Sequence, residues 1–322
     1  MVASPASPPP RFKVLREIGS GSLAAGFTAS LFSPLELVKT RLQVQHQFGQ
    51  PLYRGLGHAL RRIASEEGAG ALWRHGFAGF VARDLTYSGF RIGLYPTVRS
   101  LYSGDAAGGG GGGDAGLLVK ILSGCTTGML GSALANPVDV VRVRTSVESG
   151  ALDAATGRFK TGLCAGAAPR FAGFGSCARQ LASEPLASGA YGGVGASMAR
   201  AAALSGGQLA SYDHCKYLFL KHGVFADDGA PLHCFCAIIS GLVAVTACNP
   251  PDVVKSRLML SQQGGGAATT SAAAVVRDIW QAEGLRGFYR GWLPAASRAV
   301  PAFFIQMPVV EQLRLWLGVE TL

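Results

Sequence analysis

One eight-residue phrase is written three times in this chain. Pro34-Leu35-Glu36-Leu37-Val38-Lys39-Thr40-Arg41 returns as Pro137-Val138-Asp139-Val140-Val141-Arg142-Val143-Arg144 and as Pro250-Pro251-Asp252-Val253-Val254-Lys255-Ser256-Arg257. The copies stand 103 and 113 residues apart, so the chain is built from three units of about a hundred residues rather than from two unlike domains. Each copy closes an apolar run rich in small residues. A proline there kinks a helix that would otherwise continue, and the acid and the base three residues later share one helical face.

The apolar runs decide the class. With 48% hydrophobic and 15% charged residues over 322 positions, the chain suits either a large soluble domain or a modest membrane protein. Both apolar halves of each unit run for about 20 residues, the length that crosses a hydrocarbon core, and charge collects at their ends. The expectation is six spans with both termini on one side. A net charge of +10 would also suit nucleic acid, but the bases form no basic amphipathic helix and no aromatic platform, so no nucleic-acid partner is expected. They follow the repeated phrases instead: Arg54, Arg61, Arg62 and Arg74, then Arg158, Lys160, Arg170 and Arg179, then Arg277, Arg286 and Arg290. The positive-inside rule places all three connections on one face.

Along the chain, the expected organisation is an N-terminal tail over residues 1–12 and a first repeat over 13–103. A glycine-rich linker over 104–116 follows, then a second repeat over 117–225 and a third over 226–318. Small residues four apart, such as Gly21 and Ala25, Gly124 and Gly128, and Ala237 and Gly241, mark helix faces that approach a neighbour closely. The second repeat carries about fourteen extra residues between Ser149 and Pro169, read as an elaborated loop. Seven cysteines without CxxC spacing read as packing thiols, and scattered histidines suggest no metal or other cofactor. Met1 to Pro10 has neither transit-peptide nor secretory character, so any organellar targeting signal is expected to be internal.

Three arginines carry the strongest functional signal. Arg83, Arg200 and Arg298 each stand seven residues past a glycine, Gly76, Gly193 and Gly291, in the second span of their repeats. An arginine near mid-membrane is costly unless it faces water and an anion, and guanidinium does not deprotonate. Three aimed at one axis suit a small dianion whose carboxylates each accept a forked hydrogen bond. Tyr87 and Arg91 follow Arg83 at steps of four and share its face.

The phrase P-x-[D/E]-x-x-[K/R]-x-[K/R], followed by an acid and glycine (Glu67-Gly68, Glu283-Gly284) and an aromatic-base-glycine (Tyr289-Arg290-Gly291), resembles the mitochondrial carrier family across nearly the whole chain. The strings around Arg83 to Tyr95 and Met198 to Tyr212 look like the branch holding the oxoglutarate/malate carrier, the dicarboxylate carriers and the uncoupling proteins. The Arg200-Ala201 pair resembles the oxoglutarate carrier most.

The resemblance implies an all-α membrane fold, six transmembrane helices in three pseudo-symmetric repeats with short matrix helices. It implies a monomeric, multi-pass antiporter of the mitochondrial inner membrane rather than an enzyme, exchanging 2-oxoglutarate, malate or similar acids by alternating access. The substrate residues would be Arg83, Tyr87, Arg91, Arg200 and Arg298. A matrix gate would pair Glu36 with Arg142, Asp139 with Lys255 and Asp252 with Lys39, braced by Gln43. A cytoplasmic gate would use Arg99, Asp213, Lys216, Glu311 and Arg314, weakened because Pro96 replaces an acid. Cardiolipin would sit at the short-helix starts.

The sequence departs from the family pattern at inserted His75, at Tyr191-Gly192-Gly193, which lacks its base, and at Glu184-Pro185. These put the second lipid site in doubt. Two other readings share the residues: an uncoupling-type proton or anion pathway regulated by fatty acid and nucleotide, and a non-transporting protein of the same fold.

Overall fold

The computed structural model describes residues 10–49, 51–103, 113–186, 189–223, 230–261 and 271–316. The first unit comprises α1 (Pro10–Val44), a 3-10 turn, α2 (Leu56–Glu66), α3 (Ala71–Arg74) and α4 (Phe77–Ser103). The second comprises α5 (Gly113–Leu134), α6 (Asn136–Val147), α7 (Phe174–Ser183) and α8 (Val194–Lys221). The third comprises α9 (Ala230–Ser261), α10 (Ala272–Glu283), α11 (Leu285–Phe288) and α12 (Trp292–Trp316). Helix α1 therefore begins inside the expected tail and α5 inside the expected glycine linker; residues 1–9 and 104–112 lie outside the described residues.

The long helices form a closed ring in chain order. Helix α1 packs on α4, α4 on α5, α5 on α8, α8 on α9, α9 on α12, and α12 returns to α1. Close approach comes from small residues: a Cβ at Gly128 would meet Ser205 Oγ at 3.2 Å and a Cβ at Gly207 would meet Ala244 Cα at 3.5 Å. The prolines act differently in the three units. Pro34 and the Pro250-Pro251 pair lie inside continuous helices, whereas α5 and α6 are separate segments meeting at 61° just before Pro137.

The ring is apolar outside and charged inside, the reverse of a soluble bundle. Leu23, Phe27 and Leu31, four apart on α1, are each about half exposed, as are Leu118, Leu122, Leu130 and Leu134 on α5. Glu36, Lys39, Asp139, Asp252 and Lys255 are buried. Such a continuous apolar exterior suits lipid rather than water. By length and hydropathy alone, α9 qualifies as a span among the described helices, and α5 with α6 qualifies across its bend. The other long helices fall short because interior charges such as Lys39, Arg83, Asp84 and Arg200 lower their average, so a hydropathy window under-reads helices that line a polar interior.

The hydrophobic core sits at one end. The residues after each proline, Leu37 and Val38, Val140 and Val141, Val253 and Val254, pack under the short helices through Ile63 of α2, Leu181 of α7 and Ile279 of α10. The second unit's extra residues form an irregular loop between α6 and α7 with one bridge, Leu152 to Phe159. Its Leu163 packs against the cores of both the first and second units.

Candidate functional site

The site is the inner rim of the ring just beyond the three prolines. Because the phrase repeats under threefold pseudosymmetry, each acid faces the base of the next repeat. Asp252 Oδ2 accepts from Lys39 Nζ, Asp139 Oδ2 accepts from Lys255 Nζ at 2.6 Å, and Arg142 Nη1 lies 3.7 Å from Glu36 Oε2. Arg142 also stacks over Phe80, with its guanidinium carbon 5.2 Å from the ring centre. Gln43 ties α1 to α9 beneath these charges: its Oε1 accepts from Ser256 Oγ at 2.9 Å and its carbonyl accepts from Arg257 Nε at 3.2 Å.

The mid-helix arginines reach the same ring. Arg200 Nε lies 2.6 Å from Asp252 Oδ1, Arg298 Nε 2.7 Å from Glu36 Oε1, and Arg83 Nε 3.5 Å from Asp139 Oδ1. Each acid thus receives one base from the following repeat and one arginine from the preceding repeat's second long helix. In this conformation the three arginines are neutralised by the ring acids, and about 20 Å³ of free space remains between them, room for one water.

Several donors are nonetheless unspent. Arg83 Nε, Arg142 Nε, Arg298 Nε and the Tyr87 hydroxyl are buried without a hydrogen-bond partner. The Arg298 contact with Glu36 is short but misaligned, so it is an ionic contact that leaves the N–H direction open. Tyr87 lies under Arg83, with the guanidinium carbon 4.7 Å from its ring centre. Arg91, expected on the same face, stands two turns farther along α4, where its backbone packs on Gly131 of α5, and it does not line the cavity.

The opposite end is less fully described. Arg99 lies sixteen residues beyond Arg83 on α4, about 24 Å along the helix. Asp213 and Lys216 are at the equivalent end of α8, partly buried, beside Tyr212, whose hydroxyl is 2.6 Å from His233 Nδ1 of α9. The side chains of Glu311 and Arg314, and of Pro96, lie outside the described residues.

A second set of pairs went unassigned in the sequence. The last base of each phrase clamps the acid that follows it in the same repeat. Arg41 meets Glu67 through two bonds of 2.7 and 2.9 Å, Arg144 meets Glu184 identically, and Arg257 meets Glu283 at 2.5 Å. The signal was present: the separations are 26, 40 and 26 residues, and the surplus of fourteen equals the loop insertion. Glu184 keeps this contact although a proline follows it. Arg41 additionally donates to Tyr53 Oη at 3.0 Å and to the Ser149 carbonyl at 2.9 Å, which links the first repeat to the inserted loop. His75 Nε2 lies 3.4 Å from Glu67 Oε2; burial outweighs that carboxylate and holds the imidazole below its usual pKa.

Three glycines set the entry into the second long helix of each repeat. Gly76, Gly193 and Gly291 have φ of 81°, 73° and 79°, the left-handed region. A Cβ at Gly76 would also come within 2.5 Å of Ser146 Oγ, so the close approach of α4 to α6 needs glycine there.

No group of His, Cys, Asp or Glu among the described residues could hold a metal ion, and all seven cysteines are free. Burial pushes the Cys177 thiol up to about 12 and the Cys164 thiol up to about 11.

A closed ring of helices in three repeats, apolar outside and lined with paired charges, defines a membrane transporter of pseudo-threefold design. Residues 10–106, 113–223 and 227–320 each match the family described as "Mitochondrial carrier protein", and the chain belongs to that family. It is similar to "Mitochondrial substrate carrier family protein ucpB" of Dictyostelium discoideum, 28% identical over 93% of this chain and 95% of the relative. It is 33% identical to "Mitochondrial uncoupling protein 1" of Arabidopsis thaliana over 87% of this chain and 86% of the relative. It is 29% identical to "Dicarboxylate carrier UCP2" of Danio rerio over 98% and 96%.

Proposed function

We propose that the protein exchanges small di- and keto-carboxylates, such as malate and 2-oxoglutarate, across the mitochondrial inner membrane. The observation that carries this reading is the set of buried guanidinium N–H donors without hydrogen-bond partners on the axis of the ring. A dicarboxylate has the charge and the paired acceptor oxygens to take these bonds once the acids give way and the space widens. Its binding competes directly with Glu36, Asp139 and Asp252 for Arg298, Arg83 and Arg200. Each arginine drawn to substrate leaves a ring acid held only by its base from the next repeat. Binding therefore weakens the closed ring and lowers the cost of opening it, which is why an empty carrier would cross slowly and exchange would be obligatory. Glu36, Lys39, Gln43, Asp139, Arg142, Asp252 and Lys255 act as the gate at this end; Arg99, Asp213, Lys216, Glu311 and Arg314 act at the other. The Danio rerio relative named a dicarboxylate carrier supports the substrate class. Liposomes loaded with malate and carrying the purified protein are expected to take up labelled 2-oxoglutarate, and no uptake above protein-free liposomes would refute the reading.

The Arabidopsis relatives named uncoupling proteins favour a second reading, a proton or anion leak stimulated by fatty acid. Proton current that rises with fatty acid in vesicles lacking exchangeable acids would decide for it.

Lipid binding follows from a third feature. A cavity of about 540 Å³ lies between Tyr53, Arg54 and Gly55 at the start of α2 and Arg290, Gly291 and Trp292 at the start of α12. The positive dipole ends of two helix N-termini converge with two arginines, an arrangement suited to a diphosphate lipid head group such as cardiolipin. Cardiolipin is expected to raise the melting temperature of the detergent-solubilised protein more than phosphatidylcholine does, and Arg54→Glu to reduce that difference, read by thermal unfolding.

A further inference from the structure

The rim breaks its threefold symmetry at one charged position. Arg83 is followed by Asp84, whereas Arg200 and Arg298 are followed by Ala201 and Ala299. Asp84 Oδ1 lies 2.5 Å from Arg83 Nη1 and lines the same cavity as the three arginines. Arg83 accordingly stands 3.5 Å from its ring acid, while Arg200 and Arg298 stand 2.6 and 2.7 Å from theirs. The extra acid shares the first arginine, whereas the other two have a ring acid as their carboxylate contact.

The consequence is a count of charge. Six bases and four acids line the cavity, leaving two positive charges for a guest to neutralise; without Asp84 there would be three. In a site shielded from water, residual charge of either sign is costly, so the guest that fits best is the one that brings the total to zero. We propose that Asp84 is a specificity-determining residue that sets substrate valence, so that the site favours dianions over trianions. This rests on the carboxylate-exchange reading above and extends it to a residue that the repeats do not share.

The test compares the wild type, Asp84→Asn and Asp84→Glu as full-length protein in liposomes loaded with malate, measuring uptake of labelled malate and labelled citrate at a pH where citrate is a trianion. The wild type is expected to prefer malate. Asp84→Asn is expected to shift the citrate-to-malate uptake ratio toward citrate by at least about tenfold, and Asp84→Glu, which keeps the charge, to retain the wild-type ratio. Thermal stabilisation of the solubilised proteins by each acid gives the same comparison for a variant whose turnover is impaired. An Asp84→Asn ratio within about twofold of the wild type in both measurements would overturn the role of Asp84 while leaving carboxylate exchange intact. An equal shift in Asp84→Glu would overturn it too, since side-chain shape and not charge would then be responsible. A wild type that neither exchanges nor is stabilised by either acid would refute the carboxylate reading, and the valence role with it.

Discussion

Arg200→Gln is expected to lower 2-oxoglutarate/malate exchange by about two orders of magnitude in reconstituted liposomes, with the protein still folded. Arg200 is buried in the rim and its guanidinium touches Asp252 at 2.6 Å, so in the proposed exchange it would serve both substrate and ring. Glutamine keeps much of the length but loses the charge and the fork. Removing one member of a desolvated charge pair costs about 2–5 kcal/mol, which is the origin of the expected factor. Because Asp252 keeps Lys39 as a partner, the ring retains a contact at that position and the fold is not at stake. Arg200→Lys should restore only part of the activity, since an ammonium cannot make the paired, planar contact with a carboxylate. Exchange at the wild-type rate in Arg200→Gln would remove this residue from the site.

Arg41→Ala is expected to have the largest effect on stability. Its side chain is 0% exposed and that of Glu67 is 1%, and their two hydrogen bonds are joined by those to Tyr53 and Ser149. Deleting the cation leaves a buried carboxylate and a buried carbonyl without their donor. Breaking such a pair from one side costs about 3–5 kcal/mol, or on the order of 10 °C in melting temperature. The matching change Arg144→Ala should cost less, because Glu184 is 22% exposed and water can take over part of its solvation. Thermal unfolding of the two variants in one detergent checks both the size and the order of the effects. Equal losses would mean that burial of the acid does not govern the clamp.

These two arginines were legible to different degrees. Arg200 stood out because a charge at mid-span in three equivalent places requires a reason. Arg41 was visible as the last base of the phrase, and Glu67 as the acid before a glycine, but nothing in the sequence joined them. The connection depends on α2 folding back under the post-proline part of α1, driven by burial of Ile63 against Leu37 and Val38. Once that packing is fixed, the two side chains have no other partners of comparable strength.

What the chain's own order of residues determined was the architecture: three units, a proline at the same place in each, and charges facing inward; the partner of each ring acid was implied by the family the phrase resembles. The units and the inward charges follow from periodicity, which makes the three positions equivalent without choosing which repeat each acid faces. Only the tertiary structure decided how the arginines are shared out. It folded Arg298, Arg83 and Arg200 onto Glu36, Asp139 and Asp252, left Arg91 outside the cavity, and set Asp84 against Arg83 alone. A repeat specifies which backbone positions are equivalent, whereas the choice among several carboxylates within a long side chain's reach depends on distances that exist only after the ring has closed.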